Sequence, residues 1–408
     1  MSDKVSKRVS YGFFLLITCY FLSSVFKLGA NIVIPYYAEK FHFSSAMNGF
    51  LSSSYFFSYA LMQLVAGPLC KKYSSTRVVG TSMIVTFIGA VIFAFAPSTF
   101  WVFAARLLTG IGMGTIFCGV IQYETEFYTG RSYALAASLA FTATSLGSVC
   151  SAAPLHALIS AYGIGNAFMI LAFIVLVLVV ALLLHSRGVK VNNEVNEPIA
   201  NQICHAVKVI SKSKYLIWGT VIWLSYVALQ MCYSGMWCTT WAMSAFKDKI
   251  SLATLNGSAF GIALMVGSFI SEYCHRKSRT YIQCCIVLSW VFGLGCSGVL
   301  FGHWISKFWV SFAFILLFGF MSGHICVQLV AMCRDKTTSS DNSTITGLWN
   351  CLASFSVLFC QWTSGILIGK FGYNKSILIY VIIHLAATIG FTICCGDDRM
   401  IINEADRQ

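Results

Sequence analysis

The chain has 408 residues, 58% of them hydrophobic and 10% charged, with a formal net charge of +13 and a mean hydropathy of +0.77. These values exclude a soluble globular protein and describe a multi-spanning membrane protein. The positive charge does not imply nucleic acid as a partner, because 19 of the 27 Lys and Arg fall on one side of the predicted spans, 6 on the other and 2 inside them.

The opening residues, with Lys4, Lys7 and Arg8, resemble the start of a signal peptide. The apolar run that follows is too long, and it ends at Ile34-Pro35 without a small-residue cleavage site, which predicts a retained first span. Apolar runs between turn and charge signals predict twelve spans: 12–35, 47–69, 78–97, 101–121, 133–159, 164–184, 215–243, 254–271, 281–301, 308–332, 345–368 and 376–395. The long polar stretch His185–Lys214 separates six spans from six and carries Arg187, Lys190, Lys208, Lys212 and Lys214. It is predicted to be cytoplasmic and partly an amphipathic surface helix. The chain then divides into an N-terminal six-helix bundle (1–184), a central loop (185–214), a C-terminal six-helix bundle (215–395) and a tail (396–408). The Lys and Arg bias puts both termini in the cytoplasm. The 17 Cys show no metal spacing, and pairs such as Cys284-Cys285 fall mid-span, where they act as small apolar residues. No zinc signature, phosphate-binding loop or nucleophile elbow is present, so neither metal, cofactor nor enzymatic activity is expected. Gly110-Ile111-Gly112-Met113-Gly114 lies inside a span with no strand before it and reads as close helix packing.

Two cations sit inside apolar runs: Lys27 within Phe13–Pro35 and Arg106 within Trp101–Ile121, while all 14 Asp and Glu lie outside the predicted spans. A cation at mid-membrane costs roughly 3 kcal/mol on insertion scales and marks a functional site. At 1.5 Å per residue, Lys27 is about 21 Å from the inner face and Arg106 about 10 Å below the outer one, a shared depth in a layer roughly 30 Å thick. The pair predicts a cavity for a negatively charged solute, with Arg106 as a bidentate fork and Lys27 as a point charge. Asn31, one turn beyond Lys27, could bond cargo or pin helix 1 to its neighbours. Polar stripes at helical spacing add further candidates. Tyr226, Gln230, Tyr233, Trp237 and Trp241 recur at intervals of 4, 3, 4 and 4, as do Tyr55, Tyr59 and Gln63, and His324 and Gln328, at intervals of 4. His324 could couple protons or bond between helices, and both uses stay open.

The halves repeat weakly. Leu158–Gly163 is matched by Leu367–Gly372 at an offset of 209, and Gly67–Lys72 by Gly267–Glu272 at an offset of 200. Two six-span bundles related by a parallel repeat are one organisation of secondary transporters. Gly67-Pro68-Leu69-Cys70-Lys71-Lys72-Tyr73-Ser74-Ser75-Thr76-Arg77 is similar to the G-x-L-A-D-R-x-G-R-R loop of the major facilitator superfamily, with Lys71 in place of its Asp and Ser74 in place of its second Gly. Arg106-Leu107-Leu108-Thr109-Gly110 resembles the family's R-x-x-Q-G, with Thr109 replacing the amide. Thr346-Gly347-Leu348-Trp349-Asn350 and Phe371-Gly372-Tyr373 resemble the entry and exit of its helix 11.

The resemblance covers nearly the whole chain. It implies an all-α membrane protein of twelve transmembrane helices in two six-helix bundles related by a pseudo-two-fold axis. Helices 1, 4, 7 and 10 would line a central cavity, and 3, 6, 9 and 12 would face lipid; Phe168–Leu184, without one polar side chain, fits a lipid-facing helix. The buried cations and polar stripes, taken with this arrangement of helices, make Lys27, Asn31, Arg106, Tyr59, Gln63, Gln230, Tyr233, Trp237, His324, Gln328 and Asn350 candidates for substrate binding. The resemblance makes Gly67, Leu69, Lys71, Lys72, Arg77 and Gly110 candidates for conformational gating. The expected function is alternating-access transport of a small organic solute, an organic anion, by a monomer in the cell membrane, with protons or a counter-transported anion as open coupling partners. The alternative is a neutral or zwitterionic metabolite such as an amino acid or nucleoside; outside transport, it is a non-transporting membrane sensor.

Overall fold

A computed structural model describes residues 7–43, 45–187, 198–246, 250–275, 281–337 and 341–396; the tail over 397–408 and part of the central loop lie outside the described residues. Among those described, the fold is helical throughout, with no strand. The apolar runs make helices because a chain crossing hydrocarbon must satisfy every backbone N–H and C=O internally.

The helices are α1 (Lys7–Phe41), α2 (Ser45–Tyr73), α3 (Ser75–Ala94), α4 (Thr99–Met113), α5 (Ile116–Phe127), α6 (Gly130–Cys150), α7 (Ala153–Ser186), α8 (Ile199–Lys212), α9 (Lys214–Cys232), α10 (Cys238–Phe246), α11 (Ile250–His275), α12 (Tyr281–Trp304), α13 (Phe308–Asp335) and α14 (Asn342–Cys395), with a π-helical turn at Tyr233–Trp237 joining α9 to α10. Two of them run across a chain reversal. The chain reverses inside α7 at Gly163 (φ 77°, ψ 164°) and inside α14 at Gly372 (φ 75°, ψ 171°). Space does not demand glycine there, since a Cβ at either would meet nothing within 4 Å; the left-handed backbone does. Counting α4–α5 and α9–α10 as one span each, α6 with the start of α7 as another, and setting α8 aside, the described residues make twelve spans in two six-helix bundles.

The two reversals stand 209 residues apart, and helix packing repeats at the same interval. A Cβ on Gly110 or Gly114 of α4 would strike α2 at Tyr55 and Tyr59, and one on Gly319 or Gly323 of α13 would strike α11 at Phe260 and Leu264. Small residues let these backbones meet where lipid supplies no hydrophobic drive. Gly67 and Gly267 are not equivalent in the same way: a Cβ on Gly67 would press on Ser343 of the other bundle, and one on Gly267 on Phe320 of its own. The structural offset for the second helix of each half is therefore 209, not the 200 suggested by the loop patterns. Each bundle has its own apolar core, one around Leu16, Met83 and Val175 and the other around Trp241, Phe292, Phe318 and Phe391.

The expected amphipathic surface helix is α8. Ala206, Val209 and Ile210 turn toward the C-terminal core, Lys208 and Lys212 are exposed, and His205 lies 3.6 Å from Asp341, the residue before α14. One expectation about charge fails. The fourth span runs past its predicted end to Phe127, and this carries Glu124 inside the helix, fully buried. The spans are thus not free of carboxylates, because a charge signal near a span end cannot tell a solvated acid from one covered by neighbouring helices.

Candidate functional site

The cavity is built where the bundles meet. Its volume is about 110 Å³. Lys27 and Ser24 enter it from α1, Tyr59 from α2, Thr144, Ser145 and Ser148 from α6, Tyr226 and Gln230 from α9, and Asn350 from α14. Among the described residues, Lys27 is the one charged side chain in this lining. Around it the groups are hydroxyls and amides, several tied to one another across helices: Ser24 with Thr144, Asn350 Nδ2 to Tyr59 Oη at 3.2 Å, and Tyr226 Oη to the Ser322 carbonyl at 2.9 Å. Aromatic and apolar faces from Phe117, Phe141 and Trp223 complete the wall. The arrangement can hold a small solute by one charge contact, several neutral hydrogen bonds and ring stacking.

Four of the substrate-binding candidates meet in this cavity: Lys27, Tyr59, Gln230 and Asn350. The side chain of Asn31 lies outside the described residues. The others are engaged elsewhere. Arg106 is 3% exposed; Nη1 donates to the Phe26 carbonyl at 3.2 Å, Nη2 to the Ser52 carbonyl at 2.9 Å, and the guanidinium stacks 4.9 Å over the Tyr55 ring. Its bond to Phe26, the neighbour of Lys27, agrees with a shared depth for the two cations, but its fork is spent on tying α4 to α1 and α2 instead of facing the cavity. Gln63 donates to the Gly114 carbonyl at 2.6 Å. Gln328 donates to the carbonyl and hydroxyl of Ser271, and the His324 carbonyl accepts from that same hydroxyl. Both residues therefore sit on the α11–α13 seam. Tyr233 packs among Trp241, Phe260 and Phe318, and Trp237 donates to Ser364 Oγ at 2.7 Å. The stripe on the seventh span thus divides at the π turn, with Tyr226 and Gln230 facing the cavity and the rest in the C-terminal core. Serines and threonines of α6 were missed by sequence reasoning because isolated hydroxyls barely alter hydropathy. Their recurrence at Thr144, Ser145 and Ser148 is the signal that was available.

Two of the gating candidates, Gly67 and Lys71, lie on the seam between α2 and α14. A Cβ on Gly67 would stand 3.0 Å from the Ser343 carbonyl oxygen, and Lys71 Nζ donates to Thr344 Oγ1 at 3.4 Å. Leu69 and Arg77 are half-buried, Lys72 lies 5.5 Å over the ring of Tyr73, and Gly110 gives α4 its approach to α2. At the other end of α2, Gly49 comes close to Met236 and the Gln361 carbonyl. The bundles therefore touch along the whole length of this seam. Lys71→Ala should loosen this end of the seam by about 0.5–1.5 kcal/mol, the net worth of one such bond. In a Cys-depleted background, a cysteine placed at Ser343 should then react several-fold faster with a maleimide in the detergent-solubilised protein. Equal labelling rates in parent and variant would count against a gating role for Lys71.

The sequence matches the Major Facilitator Superfamily over residues 16–351, and the chain belongs to that family. A curated relative, the putative inorganic phosphate cotransporter of Drosophila melanogaster, is 27% identical over 127 residues, a match spanning 30% of this chain and 24% of that protein. Among solved structures, the fold is similar to a variant of the E. coli fucose:proton symporter FucP, with TM-score 0.70 and 15% identity, covering 94% of this chain and 98% of that one. It is also similar to FucP in the outward conformation, with TM-score 0.71 and 16% identity, covering 95% and 99%.

Proposed function

We propose that this chain carries a small organic anion across the membrane by alternating access, with Lys27 meeting the negative charge. The observation behind this reading is that Lys27 is, among the described residues, the sole charged side chain lining the cavity between the bundles. A cation held at that depth with no acid beside it among the described lining residues is costly, and an anionic cargo offsets the cost each time it binds. The hydroxyl and amide lining suits a cargo that also carries hydroxyls or a second polar group. It equally suits a zwitterion or a neutral polar metabolite, for which Lys27 would meet a carboxylate or a hydroxyl alone. Uptake by proteoliposomes of labelled lactate, gluconate, inorganic phosphate, an amino acid and a neutral sugar separates these readings. Accumulation of the neutral sugar alone would sink the anion proposal.

In this reading both termini and the 185–214 connection face the cytoplasm, following the Lys and Arg excess on that side. A single cysteine at position 195 of a Cys-depleted chain should be protected from an impermeant maleimide in intact cells and labelled after lysis. Labelling of intact cells would reverse the orientation.

A further inference from the structure

The polar lining of the cavity has a direction. A hydroxyl carries one hydrogen, and five of those in the lining give theirs to a main-chain carbonyl. Ser145 donates to Phe141 at 2.8 Å, Ser148 to Thr144 at 3.1 Å and Ser268 to Leu264 at 3.0 Å. Ser322 donates to Phe318 at 2.8 Å and Tyr226 to Ser322 at 2.9 Å. Each is left with lone pairs, so toward a solute these groups accept. Donors come from the Lys27 ammonium and the amides of Gln230 and Asn350, one Asn350 N–H being held by Tyr59. These serve the two oxygens of one carboxylate. A further polar group on the cargo meets mostly accepting oxygens and binds best by donating.

Of the five, Ser145, Ser268, Ser322 and Tyr226 are sealed, at 2% exposure or less, while Ser148 is half-buried. Ser148 also stands next to the cation. A Cβ on its neighbour Gly147 would strike the Phe21 carbonyl and Ser24 of α1. Ser24 bonds Thr144, and Lys27 follows one turn beyond Ser24. The ammonium and the Ser148 lone pairs therefore enter the cavity from one crossing of α1 and α6. Space sets the size. A cavity of about 110 Å³ is smaller than the roughly 150 Å³ that holds benzene, so it fits a solute of about six non-hydrogen atoms.

We propose that the cargo is a 2-hydroxy monocarboxylate of lactate's size, its carboxylate on Lys27 and its hydroxyl donating to Ser148 Oγ. This class rests on the anion reading, and the lining narrows it by excluding two neighbours. A 2-keto acid brings a carbonyl to a wall of lone pairs. Ser148 meets that carbonyl only by taking its hydrogen from the Thr144 carbonyl. A 2-amino acid brings an ammonium beside Lys27, and among the described residues the lining holds no acid to offset the like charges.

Lactate, pyruvate and alanine match in size and differ in this one group. The test is uptake by proteoliposomes of labelled lactate and, separately, labelled pyruvate, with each of the three unlabelled as competitor. Lactate should compete at least about tenfold better than pyruvate or alanine, because the site is built for the hydroxyl. S148A should bring lactate down toward pyruvate and leave pyruvate unchanged, whereas a structural defect would weaken both. Pyruvate or alanine competing as well as lactate overturns the proposal, as does absent lactate uptake or an unchanged lactate-to-pyruvate ratio in S148A. Should S148A not fold, the three competitors on the parent decide alone. Failure of the anion reading shows differently, as lactate uptake that is the same in parent and K27A. Equal lactate and pyruvate uptake, both lost in K27A, would leave the anion reading standing and remove only the hydroxyl.

Discussion

Lys27→Ala should weaken binding of an anionic cargo by roughly 1.5–3 kcal/mol, about a ten- to hundredfold loss of affinity, the range for hydrogen bonds to charged groups. The side chain is the one cation among the described residues of the cavity lining, so its removal leaves only hydroxyls and amides for the cargo's charge. The fold should survive, because deleting an uncompensated cation inside a bundle removes a desolvation cost. Lys27→Arg should restore binding only in part, since a planar fork does not reproduce a point charge in a space shaped for an ammonium. The measurement is cargo affinity beside thermal unfolding in the same detergent. Poor folding with unchanged affinity in Lys27→Ala would make the residue structural and remove the main support for an anionic cargo.

Arg106→Ala should fail in the opposite manner. Two charge-assisted bonds to helix carbonyls and a stack on Tyr55 are lost together, at a cost of about 2–3 kcal/mol in stability once relief of the buried charge is allowed for. Affinity should fall only as far as α1 shifts and carries Lys27 with it. Arg106→Lys cannot span both carbonyls while covering the ring, so it should recover little stability. The double variant with Lys27→Ala should unfold like Arg106→Ala alone. A variant of Arg106 that unfolds like the parent but loses affinity a hundredfold would put the guanidinium on the cargo.

The same two cations show how far the sequence could be read. Their membrane depth follows from counting residues along rigid helices, since the rise per residue is constant, and the bond from Arg106 to the Phe26 carbonyl agrees with that count. Their partners could not be read this way, because the direction a side chain takes from its helix depends on which neighbour packs against it. For the same reason Gln63 and Gln328 looked like cavity groups by spacing, yet their side chains bond between helices of one bundle.

Composition, charge bias and the spacing of apolar runs by themselves determined the membrane class, the twelve spans and the two halves, because a helix that crosses hydrocarbon must be long and apolar and loops must hold the charge. The repeat at 209 was also visible, since a chain reversal at Gly163 and Gly372 needs glycine for backbone reasons wherever it recurs. Tertiary structure alone decided which polar groups share the cavity, that Arg106 braces helices, and that Glu124 is buried beneath the facing bundle. Those outcomes depend on the rotation and approach of helices hundreds of residues apart, set by glycine contacts and side-chain packing across both bundles, which no periodicity along a single helix records.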